Sequence, residues 1–133
     1  MDGERPPSEE RSGTGTQLSA ISNAVVRVFK EQYGRGPTKV RSHFAGPDTL
    51  ICVLEDSFTP AERTLAELGE HQRLRDVRMF FQDVAEDQFR EIVEGVLNRP
   101  VRSFMSAIDT QTDTAVEVFV LGDGEAEVDA PDP

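Results

Sequence analysis

The chain has 133 residues, 29% of them charged, and a formal net charge of -11. A chain of this length builds one domain with a core large enough to fold without metals or disulfides, and its acidity disfavours binding to nucleic-acid phosphates or anionic lipid. The single cysteine, Cys52, excludes an internal disulfide, and the longest unbroken apolar run, Leu50 to Leu54, is far short of the ~20 residues of a membrane span.

The charge is uneven. Residues 1–16 contribute -2 and residues 123–133 contribute -5, which leaves -4 for residues 17–122. Residues 1–16 are rich in Pro, Gly, Ser, Thr and Glu with no apolar periodicity, so they are expected to be a disordered acidic tail. Residues 123–133 are expected to be a second one. The start of the chain lacks the basic and apolar regions of a signal peptide, so the expected location is the cytoplasm.

From Leu18 the pattern changes. Leu18, Ile21, Val25, Val28, Phe29 and Gln32 fall three or four apart and form one face of a helix. Thr16 is placed to cap its start, and Gly34 its end. After Gly34-Arg35-Gly36-Pro37, residues 39–44 alternate Lys39, Arg41 and His43 with Val40, Ser42 and Phe44, the period of a half-wet strand. Gly46-Pro47-Asp48 is a turn, and Thr49 to Glu55 is a second strand that pairs with the first as a hairpin.

Thr59-Pro60-Ala61-Glu62 reads as a helix start with a capping box. From there to Leu97 the chain is helical in character, as one long helix or a helix pair. Ala61, Leu65 and Leu68, then Leu74, Val77, Phe81 and Val84, and then Phe89, Ile92, Val93 and Val96, fall on apolar faces, which are expected to pack. Gly69 and Glu86-Asp87 are candidate breaks, and a bend at Val84 to Asp87 is favoured. Asn98-Arg99-Pro100 ends the helix. Strands at Val101 to Asp109 and Ala115 to Leu121 follow, joined by the polar turn Thr110 to Asp113. The expected class is α+β in two layers: helix, β-hairpin, long helix or helix pair, β-hairpin, with a four-stranded, mainly antiparallel sheet covered by helices. Residues 17–122 make up the single domain.

No constellation of an enzyme is legible, and no catalytic residue, metal site or cofactor is expected. The two histidines, His43 and His71, have neither metal-ligand nor triad spacing. Cys52 with His43 across the hairpin is the one nucleophile and base pair to weigh, and it is disfavoured because Cys52 reads as a buried strand residue. Gly13-Thr14-Gly15 lacks the preceding strand of a dinucleotide loop. Arg73, Arg75 and Arg78 with Lys39, Arg41 and Arg102 form a candidate basic patch for an anion or a partner, against the plainer reading of salt bridges to helix acids. Phe104 and Phe119 read as outward-facing aromatics, which suggests that both sheet faces are covered, by helices or by a second copy. A homodimer is therefore expected.

An ordered set of segments carries a resemblance: Ile21-Ser22-Asn23-Ala24, Tyr33-Gly34-Arg35-Gly36-Pro37, Thr59-Pro60-Ala61-Glu62, Val77-Arg78, Asn98-Arg99-Pro100-Val101, Phe104-Met105-Ser106 with Asp109, and Glu117 to Leu121. Together they resemble the MpsC-type domain, a small prokaryotic family, over residues 18–122. The sequence departs from the family pattern at Asn98-Arg99, where Thr-Gly is usual. The resemblance implies a non-enzymatic cytosolic accessory or regulatory protein of a sodium-translocating, membrane-potential-generating system. It would act on membrane ion-translocating subunits through protein contacts, without inserting into the membrane and without binding nucleic acid. Tyr33, Arg35, Arg78 and Asp109, polar members of the matched segments, are the candidate partner- or ligand-binding residues. The alternative is a homodimeric module that binds a small anion at an arginine such as Arg78, in a pocket between sheet and long helix.

Overall fold

The computed structural model describes residues 7–123. Three helices and four strands follow in the order α1 (Pro7–Tyr33), β1 (Lys39–Phe44), β2 (Thr49–Glu55), α2 (Pro60–Glu67), α3 (His71–Leu97), β3 (Val101–Asp109) and β4 (Thr114–Leu121). Every adjacent strand pair is antiparallel, and the sheet order is β1-β2-β4-β3. This is the expected α+β architecture. β2 and β4, the strands densest in β-branched residues, occupy the centre, where both edges are paired.

The first helix begins at Pro7 instead of beside Thr16, so part of the expected N-terminal tail is helical. Once the packed part of a helix exists, each further residue adds one hydrogen bond without a new nucleus. Proline costs nothing in the first turn, where its missing N–H has no helical partner. The rest of the expected tails, residues 1–6 and 124–133, lies outside the described residues. At the other end Gly34, with φ of 85°, supplies the left-handed residue that stops α1, and its N–H bonds Lys30 O.

The helical stretch is a pair, and the break falls at Gly69 instead of the favoured Val84 to Asp87. Gly69 has φ of 77°, and the N–H groups of Leu68, Gly69 and Glu70 close the end of α2 on Thr64, Ala66 and Leu65. Glu86 and Asp87 do not interrupt α3, because both point away from the core and Glu86 pairs with Arg90 one turn on. At the end of α3 the departure from the family pattern has a local answer. Asn98 takes the left-handed cap position with φ of 57°, the conformation asparagine tolerates best after glycine.

One face of the sheet is covered by α1 and α3. Ile21, Val25 and Phe29 of α1 and Phe89 and Val93 of α3 meet Leu50, Leu54, Phe119 and Leu121 of the two central strands, all nearly inaccessible. Phe29, Phe89, Phe104 and Phe119 run through this layer with successive ring centroids 6.2, 5.7 and 5.1 Å apart. Phe104 and Phe119 therefore face the helices, contrary to the expectation that they point outward. The outward residues of β4 are Thr114, Val116, Val118 and Val120.

The inner face of α3 also departs from expectation. Its buried residues are Leu74, Arg78, Gln82, Ala85, Phe89 and Val93, while Val77, Phe80, Phe81 and Val84 are exposed. At ~100° per residue the apolar residues of 74–84 and those of 89–96 point in different directions. A straight helix can bury only one set. The C-terminal half lies on the sheet and determines the phase, which turns Arg78 and Gln82 inward and the upstream apolar set out.

Candidate functional site

The buried polar cluster begins with the capping box of α2. Thr59 Oγ1 accepts from Glu62 N at 3.1 Å and Glu62 Oε1 accepts from Thr59 N at 2.9 Å, as the sequence implies. The same carboxylate then receives Arg78 in bidentate fashion, Nε to Oε2 at 3.0 Å and Nη2 to Oε1 at 2.5 Å. Arg78 is 1% exposed and also donates to Ser57 Oγ and Ser57 O. Its guanidinium lies 4.5 Å from the Tyr33 ring centroid, with Phe29 and Phe58 at 5.7 and 5.9 Å. Charge, hydrogen bonds and ring faces together satisfy a cation that would otherwise be prohibitively costly to bury.

A second chain of bonds continues across the core. Tyr33 Oη donates to Gln82 Oε1 at 3.2 Å, and Gln82 Nε2 donates to Ser106 Oγ and to Glu117 Oε2. Ser106 Oγ donates to Glu117 Oε1. Burial pushes the Glu117 carboxyl up to about 8, opposed by the bonds from Ser106 and Gln82 and by the Arg78 charge. Glu117 is therefore largely protonated at neutral pH, and in that state its own O–H is the donor in the contact with Ser106 Oγ. Tyr33, pushed up by burial, stays a neutral donor.

Beside this cluster, Asp113 ties the loop before α2 to the β3–β4 turn. Its Oδ1 accepts from Ser57 N and Oγ, and its Oδ2 from Phe58 N. His71 Nδ1 lies 2.8 Å from Thr110 Oγ1 and fastens the start of α3 to the same turn.

The four candidate residues do not converge on one point. Tyr33 and Arg78 belong to the interior cluster. Arg35 donates to Phe58 O and pairs with Asp56 at 3.6 Å, on the rim of an open groove of about 400 Å³ lined also by Pro60, Arg63, Thr64 and Glu67. Asp109 is exposed, and its Oδ1 accepts from Gln111 N and Thr112 N, so it caps the turn after β3. Arg78 spends its N–H groups on Glu62 and Ser57 and lies against aromatic rings, which leaves no open approach for a small anion. Nor is the basic patch assembled: Arg78 lies under α3 while Lys39 and Arg41 point out from the opposite face of the sheet.

Cys52 and His43 are likewise separated. Cys52 faces the core opposite Ser42, whose hydroxyl lies 3.3 Å from its sulfur, whereas His43 is exposed on the other face opposite Ile51. Burial pushes the Cys52 thiol up to about 11, which suppresses the thiolate. Among the described residues no three His, Cys, Asp or Glu side chains are grouped to hold a metal ion, and none of the described helices is long and apolar enough to cross a membrane.

Sequence reading missed Glu62, Gln82 and Glu117 as cluster members. A signal for Glu117 was present: it alternates in phase with Phe119 and Leu121 and so shares their buried face. Gln82 gave none, and nothing local marked Arg78 as inward-facing, because residues 77, 81 and 84 outweighed them in the apolar pattern.

Among the described residues two surfaces with apolar centres are left uncovered, the stripe on α3 and the outer face of the sheet. Val77, Phe80, Phe81 and Val84 are 41, 60, 36 and 62% exposed. Exposed acids Asp76, Asp83, Asp87 and Glu91 flank them on the same helix.

The fold and site define a two-layer α+β protein whose buried polar side chains bond to one another and whose otherwise charged surface leaves an apolar stripe on α3 exposed. The chain belongs to the MpsC family, described as Na+-translocating membrane potential-generating system (MpsC), which matches residues 14–123. The family name links it to a sodium-translocating, membrane-potential-generating system. No curated protein and no solved structure matches the chain.

Proposed function

We propose that the chain is a non-enzymatic, cytosolic accessory component of the sodium-translocating system for which its family is named, acting through protein contacts and working as a pair of identical copies. The observation that carries this reading is the α3 stripe. A soluble helix ordinarily turns two phenylalanines and two valines inward, and a contiguous exposed set is the mark of a contact surface. Its acidic flank suits a partner segment that alternates apolar with basic residues. The cytoplasmic segments bordering membrane helices are rich in lysine and arginine, so such a segment is what a membrane subunit would present.

The inward polar chemistry supports the non-enzymatic part. Arg78, Glu62, Gln82 and Glu117 satisfy one another, and Cys52 is held apart from His43. The test is an affinity capture of tagged protein from gently solubilised native membranes, compared with a Phe80→Glu, Val84→Glu variant. Recovery of ion-translocating membrane subunits by the unaltered protein and their loss with the variant is the expected result. Equal recovery by both, or recovery of no membrane protein, overturns it.

A further inference from the structure

The outer face of the sheet is covered by no described element, because α1 and α3 both lie on the other side. Strand register orders this face into rows running β1, β2, β4, β3. Lys39, Glu55, Thr114 and Asp109 form the first row, and Arg41, Val53, Val116 and Ala107 the second. His43, Ile51, Val118 and Met105 form the third. The centre of the second and third rows, Val53, Val116, Ile51 and Val118, is thus apolar, and Met105 beside it on β3 is 52% exposed. The β1 edge carries Lys39, Arg41 and His43, while from Ser103 to Asp109 the outward residues of β3 include one charge, Asp109.

We propose that two copies of the chain meet through this face, their sheets stacked so that Lys39 of each copy lies across from Asp109 of the other. This deepens the paired reading above by naming its surface. Two identical faces can stack about a two-fold axis across the strands or along them. An axis across the strands places β1 on β1 and opposes three basic residues to the same three. An axis along the strands places each β1 on the other copy's β3. Rows then face rows, the valines and Ile51 meet at the centre, and Lys39 meets Asp109 twice. Stacked sheets keep their strands within about 30° of one another, which this arrangement allows. The α3 stripe is less suited to self-pairing, since Asp76, Asp83, Asp87 and Glu91 would oppose their own copies.

The experiment is sedimentation equilibrium on the full chain, with circular dichroism as a check that each variant is folded. The expected result is a dimer that Val118→Lys converts to monomer. Lys39→Glu should weaken it about tenfold, and Asp109→Lys added to Lys39→Glu should restore it. A wild-type monomer at all concentrations overturns both the pairing and its surface. A dimer indifferent to Val118→Lys and Lys39→Glu overturns the surface alone.

Discussion

Arg78 and Glu62 form a bidentate ion pair in the interior, on helices separated in sequence by the turn at Gly69. The pair fastens α2, which makes few other contacts, to the side of α3. Because Glu62 also caps α2, one carboxylate fixes both the start of the helix and its docking.

Removing one partner leaves the other charged and buried. Arg78→Met or Glu62→Gln is expected to cost about 3–5 kcal/mol in urea denaturation. The combined Arg78→Met, Glu62→Gln variant should lose less than the sum of the singles, because no charge is then stranded. Additive losses would show that the two side chains act independently.

Glu117 makes stability depend on pH. Its native carboxyl titrates at about 8 and its unfolded one near 4.5, so between these values the native chain holds a proton that the unfolded chain has released. The contribution is fully present below pH 4.5 and is lost as pH rises through 8, on the order of 3 kcal/mol by pH 7. Glu117→Gln should therefore match the wild type near pH 4.5 and become progressively more stable than it toward pH 8. A difference that stays constant across that range would contradict the assignment.

Cys52 is expected to resist thiol reagents in the folded protein and to label rapidly once denaturant is added, since both burial and a pKa of about 11 suppress its thiolate. Fast labelling without denaturant would reopen the case for a reactive cysteine.

The phase of α3 is tested by two phenylalanines. Phe89→Ala empties a core position and should cost about 3–5 kcal/mol. Phe80→Ser lies in the exposed stripe and should leave stability within about 0.5 kcal/mol of wild type. Equal losses would mean that the stripe is covered by a second layer in solution.

Strand positions, the hairpin turns and the Thr59 capping box were legible in the sequence because each rests on neighbours within a few residues. Alternation over residues 39–44 and 114–121, and the capping pattern Thr59-Pro60-Ala61-Glu62, are local chemistry that tertiary contacts only reinforce. The α3 face was misread because two apolar sets compete within one helix, and local periodicity cannot weigh a set that packs against one that does not. The polar cluster was legible only in part. Arg78 was singled out as a candidate, but its partners come from α2, β3 and β4, and only folding brings them together.

The order of elements, their class and the membership of the family follow from the sequence alone, since they depend on periodicities and turn residues carried by contiguous segments. Which side of each element faces inward was decided by the tertiary structure. The sheet has only one face covered by α1 and α3, and the half of α3 that lies on it dictates the orientation of the rest. That rigid coupling buries Arg78 and Gln82 and leaves Phe80 and Val84 in solvent.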